Sequence, residues 1–201
     1  YSGLLEDAAS KSTIGAVHLK PKSGHGAVLI AVEPGGICRV ESTLGKSRLN
    51  EGTAMIASDL AVALLRQDPH VRIGLITPYR AQVQKLEALI DGWGLWEEQR
   101  ERIHIGTVHT FQGSERDVVV LDLVEMRDKG IGRLFRGRAG DRLVNVALTR
   151  AKGKLVIIAD QEAFLSGRGV ESLSRWKRII APLFPGPVLD WPTAKGELDL
   201  H

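Results

Sequence analysis

GTVHTFQGSERD, residues 106–117, runs without a break into VVVLD, residues 118–122. A string of hydroxyl, imidazole, amide and carboxylate groups ends on four consecutive apolar residues. Such a run predicts a strand buried on both faces, because a half-exposed strand alternates apolar with polar. The juxtaposition recurs further on, where RLVNVALTRAK, residues 142–152, is followed by LVII, residues 155–158. Twice, then, dense polar chemistry is anchored to a buried strand.

The neighbouring sequence extends the pattern. Val28–Glu33 is an apolar run stopped by Pro34. Asn50 opens a helical pattern in which Ala54, Ile56, Ala57, Leu60, Ala61, Leu64 and Leu65 recur up to Gln67, and Asp68-Pro69 ends it. Val71–Thr77 reads as a second strand, Tyr79–Ile90 as a helix, and Ile103–Val108 as a third strand. Val118–Val124 is the fourth, Asn145–Ala151 a short helix with Asn145 as its cap, Leu155–Ala159 the fifth strand, and Glu171–Ile180 a last helix. Apolar strands interleaved with helices predict an α/β fold in three layers, a mostly parallel sheet with helices on both faces. One domain is expected over residues 1–181. Residues 182–201 contain Pro182, Pro185, Pro187 and Pro192 and read as an extended tail or linker. In open parallel sheets ligands meet the loops at the carboxyl ends of strands, where most of the polar residues noted here fall.

Composition sets outer bounds. Of 201 residues, 43% are hydrophobic and 25% charged, as in a soluble globular domain, and no apolar run reaches membrane-spanning length. Cys38 is the single cysteine and cannot close an internal disulfide; with no basic-then-apolar leader at the start, the cytoplasm is the expected location. The net charge of +3 fits a nucleic-acid partner without requiring one. Residues 126–142 carry six basic side chains against Asp128 and Asp141, among four glycines. That stretch reads either as a solvated loop or as a strip that meets phosphates.

Leu44-Gly45-Lys46-Ser47 has the ending of a phosphate-binding P-loop, but the glycine needed five residues before Gly45 is Val40. A surface turn is the better reading, and a self-contained P-loop kinase is disfavoured. Asp122 ends a strand as a metal-binding aspartate would, yet without a P-loop it stays unassigned.

Taken together these segments resemble superfamily 1 helicases of the 5′-to-3′ group, the nonsense-mediated-decay and replication-repair type. Thr77-Pro78-Tyr79 with Gln82 is similar to motif IV, Val108–Asp117 to motif V, and Asn145–Ala151 to motif VI. Tyr1–Leu5 and Ser47–Asn50 with Ala54 resemble two further segments of the second motor domain. The likeness covers roughly residues 1–165. Thr53 stands where the family has Glu, and Arg142-Leu143-Val144-Asn145 lacks one arginine of the family's R-R-L-N.

The resemblance implies the C-terminal RecA-like domain of an ATP-dependent DNA or RNA helicase, with the P-loop NTPase fold but without a P-loop of its own. It implies that ATP and Mg2+ are held mainly by the N-terminal RecA-like domain of the same polypeptide, so that this part alone is inactive. Arg150 would be the arginine finger and Gln112 the link between nucleotide and strand; Glu115 would accept from the ribose and Gly113 would let backbone approach phosphate. Thr77, Pro78, Thr107, His109 and Thr110 would contact the backbone of single-stranded nucleic acid, DNA favoured over RNA. His109 also reads as a core histidine, Phe111 as core before stacking platform, and Asp117 as a partner for Arg116 or a local turn. No metal role is expected for these side chains, and no membrane partner. The alternative from another class is a nucleic-acid-binding domain without catalysis.

Overall fold

The computed structural model describes residues 18–21, 26–43, 47–111, 114–135, 140, 143, 145–146, 149–166 and 188–200. Six strands form one sheet: β1 (Ala27–Val32), β4 (Ile73–Thr77), β5 (Ile103–Thr107), β6 (Arg116–Asp122), β7 (Ala151–Asp160) and β8 (Leu189–Asp190). Their order is β5-β4-β6-β7-β1-β8, and every neighbouring pair is parallel. Two short strands, β2 (Val40–Ser42) and β3 (Arg48–Asn50), make a separate antiparallel hairpin. The predicted surface turn joins them, with Thr43 N donating to Ser47 O; Leu44–Lys46 themselves lie outside the described residues.

One face of the sheet is covered by helices. The helix α1 (Glu51–Gln67) starts where its sequence says, since the Asn50 side chain accepts from Thr53 N at 3.2 Å. It buries Ala54, Ala57, Leu60, Ala61 and Leu64 completely, beside Leu86 and Ile90 of α2 (Arg80–Gly92). A one-turn helix α3 (Glu97–Glu101) precedes β5 and has no counterpart in the sequence reading. The opposite face packs Val119, Leu121, Leu155 and Ile157 against Phe111, Ile131, Phe135, Leu143 and Phe164. Residues 140, 143, 145, 146, 149 and 150 are helical. This is the three-layer α/β arrangement expected, its strands near-continuous apolar runs because both faces are covered.

Several expectations change. Asn145 is itself helical, as are residues 140 and 143 before it, so it is not the cap expected of it; its carbonyl accepts from the Thr149 hydroxyl at 2.8 Å. The chain's end is not an extended tail over residues 189–197. Leu189 and Asp190 add an edge strand beside β1, and Asp190 caps α4 (Trp191–Glu197), accepting from Thr193 N at 2.9 Å with Pro192 in the first turn. Proline suits that position because its missing N–H would be unsatisfied there anyway. The predicted helix 171–180 lies outside the described residues. No helix among the described residues is long and apolar enough to cross a membrane. Lys154, in the middle of β7, is fully buried with no hydrogen-bond partner for its ammonium among the described residues, and burial pushes its pKa down to about 8.

Candidate nucleotide and nucleic-acid interface

Parallel register sorts the predicted site residues between two edges of the sheet. At the carboxyl edge, Thr77 ends β4 directly beside Thr107, which ends β5. At the amino edge, Arg116 begins β6 beside Ala151, which begins β7. Glu115 and Arg150 are the residues immediately before that pair, so the two edges hold different chemistry.

The connection between the edges is the segment quoted at the outset. From Thr107 the chain turns, with Thr110 N, Thr110 Oγ1 and Phe111 N all donating to Thr107 O, and it re-enters the sheet at Arg116 on the far side of β4. Phe111 is the anchor of this crossing. Its ring is fully buried and meets His104 edge-on at 4.7 Å between centroids. It lies so close over β4 and β5 that a Cβ on Gly74 would stand 2.8 Å from the ring, and one on Gly106 would stand 2.2 Å from Thr110 Oγ1. Glycine is needed at both positions for the crossing to lie flat on the sheet. Phe111 is therefore core, while His109 and Thr110 are exposed beside it, which disposes of the core reading of His109.

Thr77 departs from expectation. Its side chain is fully enclosed and its hydroxyl has no hydrogen-bond partner among the described residues, so that hydroxyl is not presented to a strand. Pro78, Thr107, His109 and Thr110 are all at least partly exposed. At the amino edge, Glu115 is half-exposed and its carboxylate meets Lys152 Nζ at 3.0 Å. Arg150 donates from Nη2 to its neighbour Thr149 at 3.2 Å, while its Nε is buried with no partner among the described residues. It makes no ion pair among the described residues. Gln112 and Gly113, assigned beside them from the sequence, lie outside the described residues.

Asp117 pairs with neither Arg116 nor a local turn. It accepts from Arg72 at three points: the backbone N, Nε, and Nη2 at 3.0–3.1 Å. Burial alone would raise its pKa, but these bonds and the guanidinium charge hold it below the usual carboxylate range.

Two buried carboxylates that sequence reasoning left aside organise the ground beneath the carboxyl edge. Asp122 accepts from Gln82 Nε2 at 2.5 Å, Thr53 Oγ1 at 3.2 Å and Val124 N at 3.0 Å, so the motif IV glutamine is tied to β6 and to the start of α1. Gln82 also bonds the Asn50 backbone in both directions. Burial pushes the Asp122 carboxyl up to about 6 despite those donors. Because the folded-state pKa lies above the unfolded value near 4, the folded chain holds the extra proton between them. Stability from this group is thus full below about pH 4 and declines as pH rises through about 6. Asp122→Asn is expected to remove that component, on the order of 3 kcal/mol; urea melts of both proteins from pH 4 to 7 read it, and parallel profiles would refute it.

Glu125, the second carboxylate, accepts from Arg48 and from the Tyr79 hydroxyl, and Arg48 also donates to Gly130 O at 2.7 Å. Burial raises its pKa, against the pull of its donors. A Cβ on Gly132 would stand 2.4 Å from Tyr79 Oη, so the glycine lets residues 131–134 dock on this hub. Arg48 and Glu125 are 77 residues apart and carry no local signal of their pairing. The basic stretch after β6 is thus partly fastened down: Arg127 meets Asp160 at 2.8 Å and Glu162 at 3.2 Å and also pairs with Glu33, so it is not available to phosphates.

Comparison with known proteins gives a consistent family. The family described as AAA domain matches residues 1–162. DNA polymerase alpha-associated DNA helicase A of Saccharomyces cerevisiae is 35% identical over 140 residues, covering 68% of this chain and 19% of the relative. Putative regulator of nonsense transcripts 1 of Takifugu rubripes is 33% identical over 121 residues, 59% of this chain and 11% of the relative. Among solved structures, the C-terminal domain of a possible DNA helicase from Lactobacillus plantarum WCFS1 aligns over 75% of this chain and 85% of its own, at 12% identity and a TM-score of 0.41. The chain spans less than a fifth of the length of these curated relatives.

Proposed function

Since the chain belongs to the AAA domain family and has the character of a superfamily 1 helicase C-terminal domain, we propose that it is the second RecA-like motor domain of an ATP-dependent helicase that moves along single-stranded nucleic acid. The observation that carries this reading is that register brings Glu115 and Arg150, each one residue before the Arg116–Ala151 pair, to the amino edge of the sheet, with no carboxylate on the Arg150 guanidinium among the described residues. With only Thr149 as a described partner for its terminal nitrogen, the Arg150 guanidinium keeps donors to offer a phosphate arriving from a facing domain.

ATP with Mg2+, held mainly by the N-terminal domain, would supply the phosphoanhydride whose cleavage drives movement. Toward it, Arg150 would present a planar, permanently charged fork to the oxygens on which charge accumulates. Glu115 would accept from a ribose hydroxyl, exchanging its bond with Lys152 for that one, and the resemblance gives Gln112 and Gly113 parts in the same chemistry. Pro78, Thr107, His109 and Thr110 would line the strand at the carboxyl edge, holding its backbone without reading its sequence. The yeast relative covering two-thirds of this chain is named a DNA helicase, which favours DNA over RNA as the strand.

The test is ATP hydrolysis by the full-length protein with no strand, with single-stranded DNA and with RNA of the same sequence. Stimulation by DNA above RNA is the expected result. Stimulation by RNA alone would reverse the strand assignment. A protein that binds strand with no hydrolysis would instead be a binding domain that has lost catalysis.

A further inference from the structure

A cavity of about 460 Å³ opens at the carboxyl edge, lined by Ser47, Arg48, Pro78, Tyr79, Arg80, Gly132, Arg133 and Leu134. Its volume falls in the range of roughly 300–1,000 Å³ typical of small-molecule sites, so it admits a nucleotide unit and not only an ion. The Glu125 carboxylate behind its wall is consumed by Arg48 and Tyr79, which neutralises Arg48. Arg80 and Arg133 remain at the mouth, both exposed and without an ion pair among the described residues. They come from different segments, one from the first turn of α2 and the other from the stretch docked on the Glu125 hub. Arg80 sits at the amino end of a 13-residue helix whose cap residue, Tyr79, makes no side-chain capping bond. Ser47 Oγ takes up Ala81 N at 3.1 Å, and the positive end of the helix dipole adds to the charge. On the rim Leu134 is 40% exposed and offers an apolar surface. Two exposed guanidiniums lining one cavity, neither in an ion pair among the described residues, match a phosphodiester with its sugar.

The cavity starts at Pro78, and β4 ends one strand away from the Thr107–Thr110 turn. We propose that Arg80 and Arg133 form a clamp that seats an internucleotide phosphate of the single strand as it leaves that turn. This rests on the reading of the carboxyl edge as the strand-binding edge, and adds a site to it. The Glu125 hub is the positioning element, since it fixes the wall that carries Arg133.

The clamp is tested with the full-length protein, binding a fluorescent oligothymidylate at graded salt in the presence of a non-hydrolysable ATP analogue. Arg80→Gln with Arg133→Gln is expected to weaken binding roughly tenfold or more. The slope of log affinity against log salt should flatten by about 0.7 for the one phosphate released. Arg80→Lys with Arg133→Lys should keep the slope and recover only part of the affinity, because lysine lacks the fork. Arg66→Gln with Arg102→Gln removes the same charge near the amino ends of the strands and should change neither. Unaltered affinity and slope in the first pair would overturn the clamp while leaving the strand-binding edge intact, as would equal weakening by the Arg66 and Arg102 pair. Failure of the wild-type protein to bind any strand would remove both the clamp and the edge. Matching melting temperatures establish that each variant is folded.

Discussion

Arg150→Ala is expected to lower strand-stimulated ATP hydrolysis by the full-length protein by about 10³–10⁵-fold, the range that an arginine finger supplies in other nucleotide hydrolases. Nucleotide binding should change far less, because the interaction forms most strongly as charge builds on the transferring phosphoryl group. Arg150→Lys should recover little, since an ammonium cannot reproduce the two-pronged contact. The folded state itself supplies the control. Arg150 leaves a buried Nε unpartnered and makes no ion pair among the described residues, so its loss removes no stabilising bond beyond the contact with Thr149. The alanine variant should therefore melt no earlier than wild type. Phosphate release and nucleotide titration decide the matter: a rate within tenfold of wild type would take Arg150 out of the site, and an early melt would make its effect structural.

The second large effect is on stability. Phe111→Ala is expected to cost about 3–5 kcal/mol, read by urea denaturation. The ring is fully buried, contacts His104, and fills the space that Gly74 and Gly106 leave open. Surroundings made of two sheet strands cannot collapse into the void, which places the cost at the upper part of that range. A partner substitution sharpens the test. Gly74→Ala alone should destabilise, because its Cβ would press on the ring at 2.8 Å. In the Phe111→Ala background the same methyl enters empty space, so the two changes should cost less together than their sum. Additive costs would mean that the ring does not rest on Gly74.

Much of the fold was legible because burial on both faces of a parallel sheet leaves long apolar runs, as in Val118–Leu121 and Leu155–Ile158, and because Asn50 stands where a cap is required. What escaped the sequence reading depends on pairings across the chain. Nothing near Asp117 in sequence points to Arg72, 45 residues away, and nothing near Asp122 points to Gln82 and Thr53. The end of the chain is a different case. Asp190 followed by Pro192 is a helix-start signal, but four prolines within eleven residues drew attention to extension instead. Of the candidate site, the resemblance already grouped Glu115 with Arg150 and Pro78 with Thr107, and register adds that the two groups stand at opposite edges of the sheet. Thr77 was named for its hydroxyl, and only the packed structure shows that hydroxyl enclosed.

The crossing between β5 and β6 has a mechanical side. Eight residues separate Thr107 from Arg116, and register puts their ends about six residues apart in height and two strands apart in width. At strand spacings that is roughly 20–25 Å, while nine fully extended links reach only about 30 Å, and the turn at Thr107 has already taken up some of that length. The connection therefore has little slack, and its middle is pinned by Phe111. A link of this kind behaves as a tie rod: it sets how far the two edges of the sheet can be drawn apart along β5 and β6.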